Sequence, residues 1–407
     1  VRRELIAGIL LLAGCASASP PPGGPEDRLP PRLVRVTPDT NAINVRDRVA
    51  VFHFDEVIND RGTGAQDVSN FFLVSPSDGE ARVSWHRQRI EVRPRRGFRA
   101  NTAYTVTLLP GLADLRSNVM KEGRTLIFAT GPTIPTLFIR GVAFDWVAER
   151  PAARALIQAV TADSVTYLAQ ADSVGRFTVG PLDPGSYLVN AIIDQNSNRG
   201  LDRGESWDSV RVVAPQPAPA ELLAAPRDTL PARIVTASIS DSVSIRLTFD
   251  RLLDPAQTFA LASFRVAAAD SVPVPITAVL TPRDEVARAR ARELAVLDSA
   301  RRADSVAGRP RPPAPVAPPP GRTPAEPPKP SRPAPFTSIQ LLLGRALPPS
   351  TNYRVTVTSV RALNGRALGS ERTFTTPKPA PPPTDTTRTT PAPPAAPATA
   401  PPPGARP

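Results

Sequence analysis

Residues 194–205 read DQNSNRGLDRGE. Oxygen-bearing side chains fall at the first, third, fifth, ninth and twelfth places, as Asp194, Asn196, Asn198, Asp202 and Glu205. Gly200 adds a backbone carbonyl at the seventh place. That is the ligand rhythm of a calcium loop, in which a hard cation collects about six to eight oxygens. Asp202 would act through a water, and Glu205 would bind with both carboxylate oxygens. Two features oppose the metal. Arg199 stands at the sixth place, where such a turn needs Gly, and Arg199 and Arg203 bring positive charge close to the ion. The flanks YLVNAII and SVRVV read as strands, so no helix-loop-helix surrounds the loop. Two readings stand side by side: a weak calcium site, or an Asx-rich polar hairpin. Trp207, two residues beyond Glu205, is placed to report either.

Other reactive residues are sparse. The chain has two histidines, His53 and His86, and one cysteine, Cys15, which excludes a zinc site of several Cys and His and any intrachain disulfide. His53 alternates within a strand pattern, and His86 follows Trp85 beside Arg87 as a surface residue. Asp55 and Glu56 are neighbours, so on a strand they face opposite ways and make no close acid–base pair. Their expected role is to end a strand and cap a turn, the alternative being a carboxylate lent to a metal site between domains. No Gly-x-Ser-x-Gly elbow and no phosphate-cradling glycine loop occurs. The sequence therefore predicts no catalytic residues and no enzyme. The net charge of +12 comes mainly from scattered Arg. Without a helix-turn-helix, a finger spacing or an aromatic RNA-binding motif, it predicts no nucleic-acid partner.

The N-terminus accounts for the cysteine. Arg2 and Arg3 precede the apolar run Leu5–Leu12, which is shorter than the roughly 20 residues a membrane span needs. It fits the core of an export signal. The run ends Leu12-Ala13-Gly14-Cys15, which resembles a bacterial lipobox. The resemblance implies cleavage before Cys15, lipidation of its thiol and a membrane tether, each acyl CH₂ adding about 0.8 kcal/mol of affinity. Ala16 after the cysteine favours the outer membrane by analogy with Gram-negative sorting. Residues 1–15 are thus expected to be signal peptide and lipobox, and residues 16–31 a flexible Pro/Gly tether.

Behind these groups the chain reads as all-β. Its 407 residues suit two to four domains, and 41% hydrophobic residues suffice for cores. Short alternating runs rich in Val, Thr, Phe and Ile fill residues 32–131, for example VAVFHFDE at 49–56 and NTAYTVTL at 101–108. The plan returns over residues 231–377. IRLTFD (245–250) answers VFHFD (51–55), STNYRVTV (350–357) answers NTAYTVTL, and RTFTTP (372–377) answers LIFATG (126–131). Phe54 and Tyr104 lie 50 positions apart, but Phe249 and Tyr353 lie 104 apart. The excess matches an insertion at 283–335, whose Ala/Arg/Glu-rich first half reads as an exposed helix and whose Pro-rich second half cannot pack a core. Residues 378–407 form a Pro/Thr/Ala tail expected to stay unfolded.

Pro30-Pro31, Phe54-Asp55-Glu56, Asn101-Thr102-x-Tyr104 and the closing Phe-x-Thr at 128–130 and 374–376 resemble bacterial Ig-like domains of the S-layer SbsA type. The third domain departs from that pattern, with Asp250-Arg251 in place of Asp-Glu. Between the repeats, residues 136–214 carry Asp172-x-x-Gly175-x-Phe177 and Leu182-x-Pro184-Gly185-x-Tyr187. These resemble the transthyretin-like regulatory domain of carboxypeptidases, another small β-sandwich, with Gly175 and Gly185 in tight turns and Phe177 and Tyr187 in the core. The whole layout, with Gly23-Gly24-Pro25 in the tether, resembles a family of Ig-like-domain lipoproteins of Bacteroidetes-like bacteria. In those relatives the loop equivalent to 194–205 often has the missing Gly. The expected architecture is three β-sandwiches (Ig-like, transthyretin-like, Ig-like). The expected function is a lipid-anchored outer-membrane structural or binding protein, on either face of that membrane, with envelope proteins or glycans as partners. The alternatives are an accessory module of carbohydrate processing or export, and a calcium-stiffened adhesin.

Overall fold

The structure is a computed structural model that describes residues 27–61, 67–268, 270, 272–306 and 328–378. The lipobox with Cys15, most of the tether and the tail beyond Lys378 lie outside the described residues. The chain divides into two compact units: residues up to Asp228 together with the segment ending at Ala334, and residues from Thr229 together with the stretch from Pro335.

The first unit opens with seven strands: β1 (Leu33–Thr37), β2 (Ala50–Phe54), β3 (Phe72–Ser75), β4 (Arg82–His86), β5 (Arg89–Arg93), β6 (Ala103–Leu108) and β7 (Arg124–Ala129). They form two sheets, ordered β1-β2-β5-β4 and β3-β6-β7. Strict alternation decides which side chains go inside. Ala50, Phe52 and Phe54 of β2 are buried, while Val51 and His53 between them stay half-exposed. On the paired strands β6 and β7 of the other sheet, Tyr104 stacks on Phe128 at 5.9 Å, and burying each such ring contributes about 2–3 kcal/mol. Asp55 lies just past β2, and its carboxylate accepts the Arg32 N–H at 2.7 Å, fixing where β1 enters.

Eight strands follow: β8 (Leu137–Asp145), β9 (Arg150–Pro151), β10 (Leu156–Val160), β11 (Thr166–Gln170), β12 (Arg176–Leu182), β13 (Gly185–Ile192), β14 (Ser206–Ala214) and β15 (Ala220–Pro226). Their order is β11-β10-β13-β14-β15-β8-β12, with β9 beside β8. β14 meets β15 only at Ser206–Pro226 and Trp207–Ala225, where the sheet doubles over to enclose a core. Phe177 and Tyr187 lie in that core, and the Tyr187 hydroxyl donates to the Asp183 carbonyl at 2.7 Å. Gly175 turns with φ +76°, as expected, but Gly185 opens β13 without a positive φ. Gly141 of β8 answers a different need. A Cβ there would lie 2.3 Å from the Ala220 carbonyl of the parallel neighbour β15 and 2.5 Å from the Phe177 ring.

The two sandwiches of this unit are joined by hydrogen bonds. Ser77 N–H donates to the Thr166 carbonyl, Leu168 N–H to Ser75 Oγ, and Thr105 Oγ to the Gly180 carbonyl.

The second unit holds β16 (Ile234–Asp241), β17 (Ser244–Leu253), β18 (Phe264–Ala268), β19 (Pro273–Val274), β20 (Ile276–Leu280), α1 (Pro282–Val306), β21 (Phe336–Leu343), β22 (Asn352–Arg361) and β23 (Ala367–Thr375). Its sheets run β16-β17-β21-β20 and β19-β18-β22-β23. Apart from β19, this is the connectivity of the first sandwich. The details repeat too. Asp250 accepts the Arg233 N–H at 2.8 Å as Asp55 accepts that of Arg32, and Tyr353 stacks on Phe374 at 5.7 Å. Where β4 and β5 are joined by a two-residue turn, β20 and β21 are separated by α1 and the proline-rich stretch. Thr281 starts α1 with a reciprocal cap, its Oγ accepting the Asp284 N–H while Asp284 accepts the Thr281 N–H. Arg246 holds Glu285 at 2.7 Å, and residues 286–299 beyond it are exposed, with Leu294 at 61%. Among the described residues no helix is long and apolar enough to cross a membrane.

Candidate functional site

β13 and β14 deliver the two ends of the polar loop to one place. Ile193 N–H donates to the Ser206 carbonyl at 2.9 Å, closing its neck. Inside the neck sits Glu205, only 6% exposed. One of its oxygens accepts Gln195 N–H at 3.1 Å, and the other accepts Asp202 N–H at 2.9 Å. Asp194 accepts Arg199 N–H through Oδ2 at 2.9 Å, and its Oδ1 is buried with no hydrogen-bond partner. Asn196 Oδ1 accepts Asn198 N–H, and Asn198 Oδ1 accepts Gly200 N–H, a run of Asx turns. Both amide groups donate to Asp202 Oδ2, at 2.6 and 2.7 Å.

Arg199 answers the sequence-level objection to the loop. Its φ is +60°, the left-handed conformation that Gly takes most cheaply. Its guanidinium reaches away to the Ser69 carbonyl of the first sandwich at 2.7 Å. Burial pushes its pKa down while Glu80 and Asp194 push it up, and it stays charged. Asp194, Ser197 and Arg199 line a cleft of about 310 Å³ with Asn70 and Phe71 of the first sandwich. The loop residues are therefore tied together by hydrogen bonds, with Asp202 held by amide donors, and the carboxylates of Asp194, Asp202 and Glu205 do not all gather within 4.8 Å.

Among the described residues, one group of three carboxylates has oxygens within 4.8 Å of one another, and it is elsewhere: Asp27, Glu56 and Asp114. Asp114 is 2% exposed and accepts Arg116 N–H, Asn118 N–H and the Asn118 amide. Burial, then Asp114, Asp27 and Asp55, raises the pKa of Glu56. Asp27 and Asp114 were not singled out by sequence reasoning, since they come from a tether and a turn far apart in the chain. Glu56 was considered as a ligand between domains, and it stands here within one. His53 is half-exposed on β2, and His86 lies 3.8 Å from Glu91.

Comparison with known proteins separates the parts of the chain. No curated protein matches it. The S-layer protein rSbsC overlaps with 84% of this chain and 54% of its own length, at 9% identity and a TM-score of 0.18. The structure of surface layer protein SbsC, domains 1–6, overlaps with 87% of this chain and 55% of its own, again at 9% identity and a TM-score of 0.18. This chain thus spans about half the length of those structures. The chicken CNTN1 FN1–FN3 domains overlap with 86% of this chain at 9% identity and a TM-score of 0.13. None of these overlaps bears on function. The family match is local: residues 27–130 match the bacterial Ig-like domain, and this first sandwich is what the chain shares with a described family.

Proposed function

We propose that this chain is a lipid-tethered cell-envelope protein that works by binding and spacing rather than by catalysis. One observation carries the reading. The first sandwich matches a bacterial Ig-like domain, and its sheet order and strand-end contacts are repeated in the second unit. Two such modules flanking a third sandwich suit contact with envelope proteins or glycans. The middle sandwich is read as a carboxypeptidase-regulatory-like domain, on the Gly175, Phe177 and Tyr187 pattern. Cys15 is the proposed lipid site, and the outer membrane the proposed address.

Calcium at the loop belongs to the same proposal. The donor set is all oxygen, which suits a hard cation. The buried, unpartnered Asp194 Oδ1 is the group most in need of one. Asp194, Asn196, Asn198, the Gly200 carbonyl, Asp202 and Glu205 would hold the ion. Its contribution would be stiffness, since it would gather both ends of a twelve-residue loop.

Fractionation tests the tether. In a Gram-negative host fed labelled palmitate the full chain should take up label and sediment with the envelope until detergent releases it, and Cys15→Ser should take up none. If Cys15→Ser is labelled like the parent, or neither is labelled, the lipid-tethered reading is wrong.

A further inference from the structure

We propose that Trp146 and Glu221 form a recognition site for an extended Ser-Arg-Pro segment, and that the chain's own Ser331-Arg332-Pro333 is its resident ligand. The proposal does not depend on the calcium reading or on the lipid anchor.

The receptor surface is built by the parallel pair β8 and β15. Glu221 lies opposite Val142, and Ala224 lies opposite Asp145, the residue before Trp146. Trp146 is fixed at the end of β8 by its N–H donating to the Ala224 carbonyl at 2.9 Å. Glu221 and Trp146 therefore stand about 10–13 Å apart along the strands. An extended or polyproline-like stretch of three to four residues covers that distance.

The ligand contacts match the receptor group by group. The Ser331 N–H donates to Glu221 Oε1 at 2.8 Å, and the Ser331 hydroxyl donates to Glu221 Oε2. The Arg332 guanidinium lies over the Trp146 ring, 4.7 Å from its centroid. The Trp146 indole N–H donates to the Pro333 carbonyl at 3.0 Å. Trp146 is 6% exposed, while Ser331, Arg332 and Pro333 remain exposed around it.

Each contact selects something. An indole N–H can only donate, so it seeks the carbonyl of a backbone that carries no competing N–H, as Pro does. The ring face selects a cation, and the carboxylate selects a segment that offers an N–H and a hydroxyl together. An aromatic platform with one donor is the general means of reading proline-rich chains, whose stiffness lowers the entropy lost on docking. The Arg-Pro dipeptide recurs in the proline-rich stretches, as Arg309-Pro310, Arg311-Pro312 and Arg406-Pro407, and in the folded part, as Arg93-Pro94 and Arg150-Pro151, but only Arg332-Pro333 follows a Ser. Ser331-Arg332-Pro333 is thus the segment that offers all three contacts at once.

Binding in trans tests this. The full chain with Ser331→Gly, Arg332→Gly and Pro333→Gly leaves the receptor face free. A fluorescent peptide of sequence PKPSRPAP, residues 328–335, should bind it saturably with one peptide per chain. The unaltered chain should bind about tenfold more weakly or less, because its own segment competes at a high effective concentration. Replacing Arg by Ala in the peptide should cost about tenfold, as should Trp146→Phe, which keeps the ring but loses the N–H. The peptide-side change needs no altered protein, so it holds even if Trp146→Phe fails to fold. Absence of saturable binding at millimolar peptide would overturn the proposal. So would equal binding of the peptides with and without Arg.

Discussion

Replacing Glu205 by Gln separates a polar turn from a calcium-stiffened loop. Glu205 is buried at the neck, and each carboxylate oxygen accepts one backbone N–H, from Gln195 and Asp202. Gln keeps one oxygen and turns the other position into a donor facing a donor. One charge-assisted bond is lost and one N–H is left opposed, which costs about 2–3 kcal/mol. In a unit of this size each kcal/mol lowers Tm by about 2–4 °C, so Glu205→Gln should melt roughly 4–12 °C lower without metal. Calcium adds a second reading. If the parent binds it about tenfold below the working concentration, the stability gained is about 1.4 kcal/mol, or roughly 3–6 °C. The assay is calorimetric melting of parent and variant at about 10 mM calcium or magnesium, a level suited to weak extracellular sites. The parent should gain with calcium alone, and Glu205→Gln should gain nothing. If the parent melts identically in both ions, and Trp207 emission is also unchanged, the loop is a hairpin and the metal proposal fails. If Glu205→Gln melts like the parent without metal, the neck argument fails as well.

Three further outcomes follow from the geometry. Arg199→Gly should relieve about 1 kcal/mol of left-handed strain but lose the bond to Ser69, leaving metal-free stability nearly unchanged while calcium binds more tightly; titration calorimetry against the parent reads the difference, and weaker calcium binding would contradict it. Gly141→Ala should lower Tm of the first unit by about 2–12 °C, since overpacking against the Ala220 carbonyl and Phe177 costs about 1–3 kcal/mol, and an unchanged melt would mean β8 and β15 are not packed as described. Glu56 has a raised pKa when folded, so its contribution to stability is complete below the unfolded value of 4.5 and is lost as pH rises through the raised value. Glu56→Gln should therefore raise Tm at neutral pH and leave it unchanged well below 4.5, and a lower Tm at neutral pH would refute the sign.

What could be read from the sequence was whatever repeats along the chain. The alternation that buries Phe52 and Phe54 but not His53, and the return of the same pattern at Leu247 and Phe249, foretold the strands and their duplication. Spacing between Phe249 and Tyr353 located the helix between β20 and β21. The oxygen-bearing residues of the loop were visible because they are close in sequence. Contacts between distant segments were not. Asp27 reaches Glu56 and Asp114 only through the fold, and Trp146 meets Pro333 across 187 positions of chain. The turn at Arg199 was read as an obstacle because residue type alone says Gly. The bond to Ser69, which holds Arg199 in that conformation, comes from another sandwich. Gly185 shows the reverse error: a glycine in a Pro-Gly pair read as a turn, where it opens a strand.

The central claim, a lipid-tethered protein of Ig-like modules, meets its most direct test in the mass of the mature N-terminal peptide, taken from envelope fractions of a host expressing the full chain. The account predicts a first residue at Cys15 carrying acyl groups, and accumulation of the uncleaved chain when lipoprotein signal peptidase is blocked by globomycin. An N-terminus beginning elsewhere, or an unmodified Cys15 in the mature chain, would contradict it.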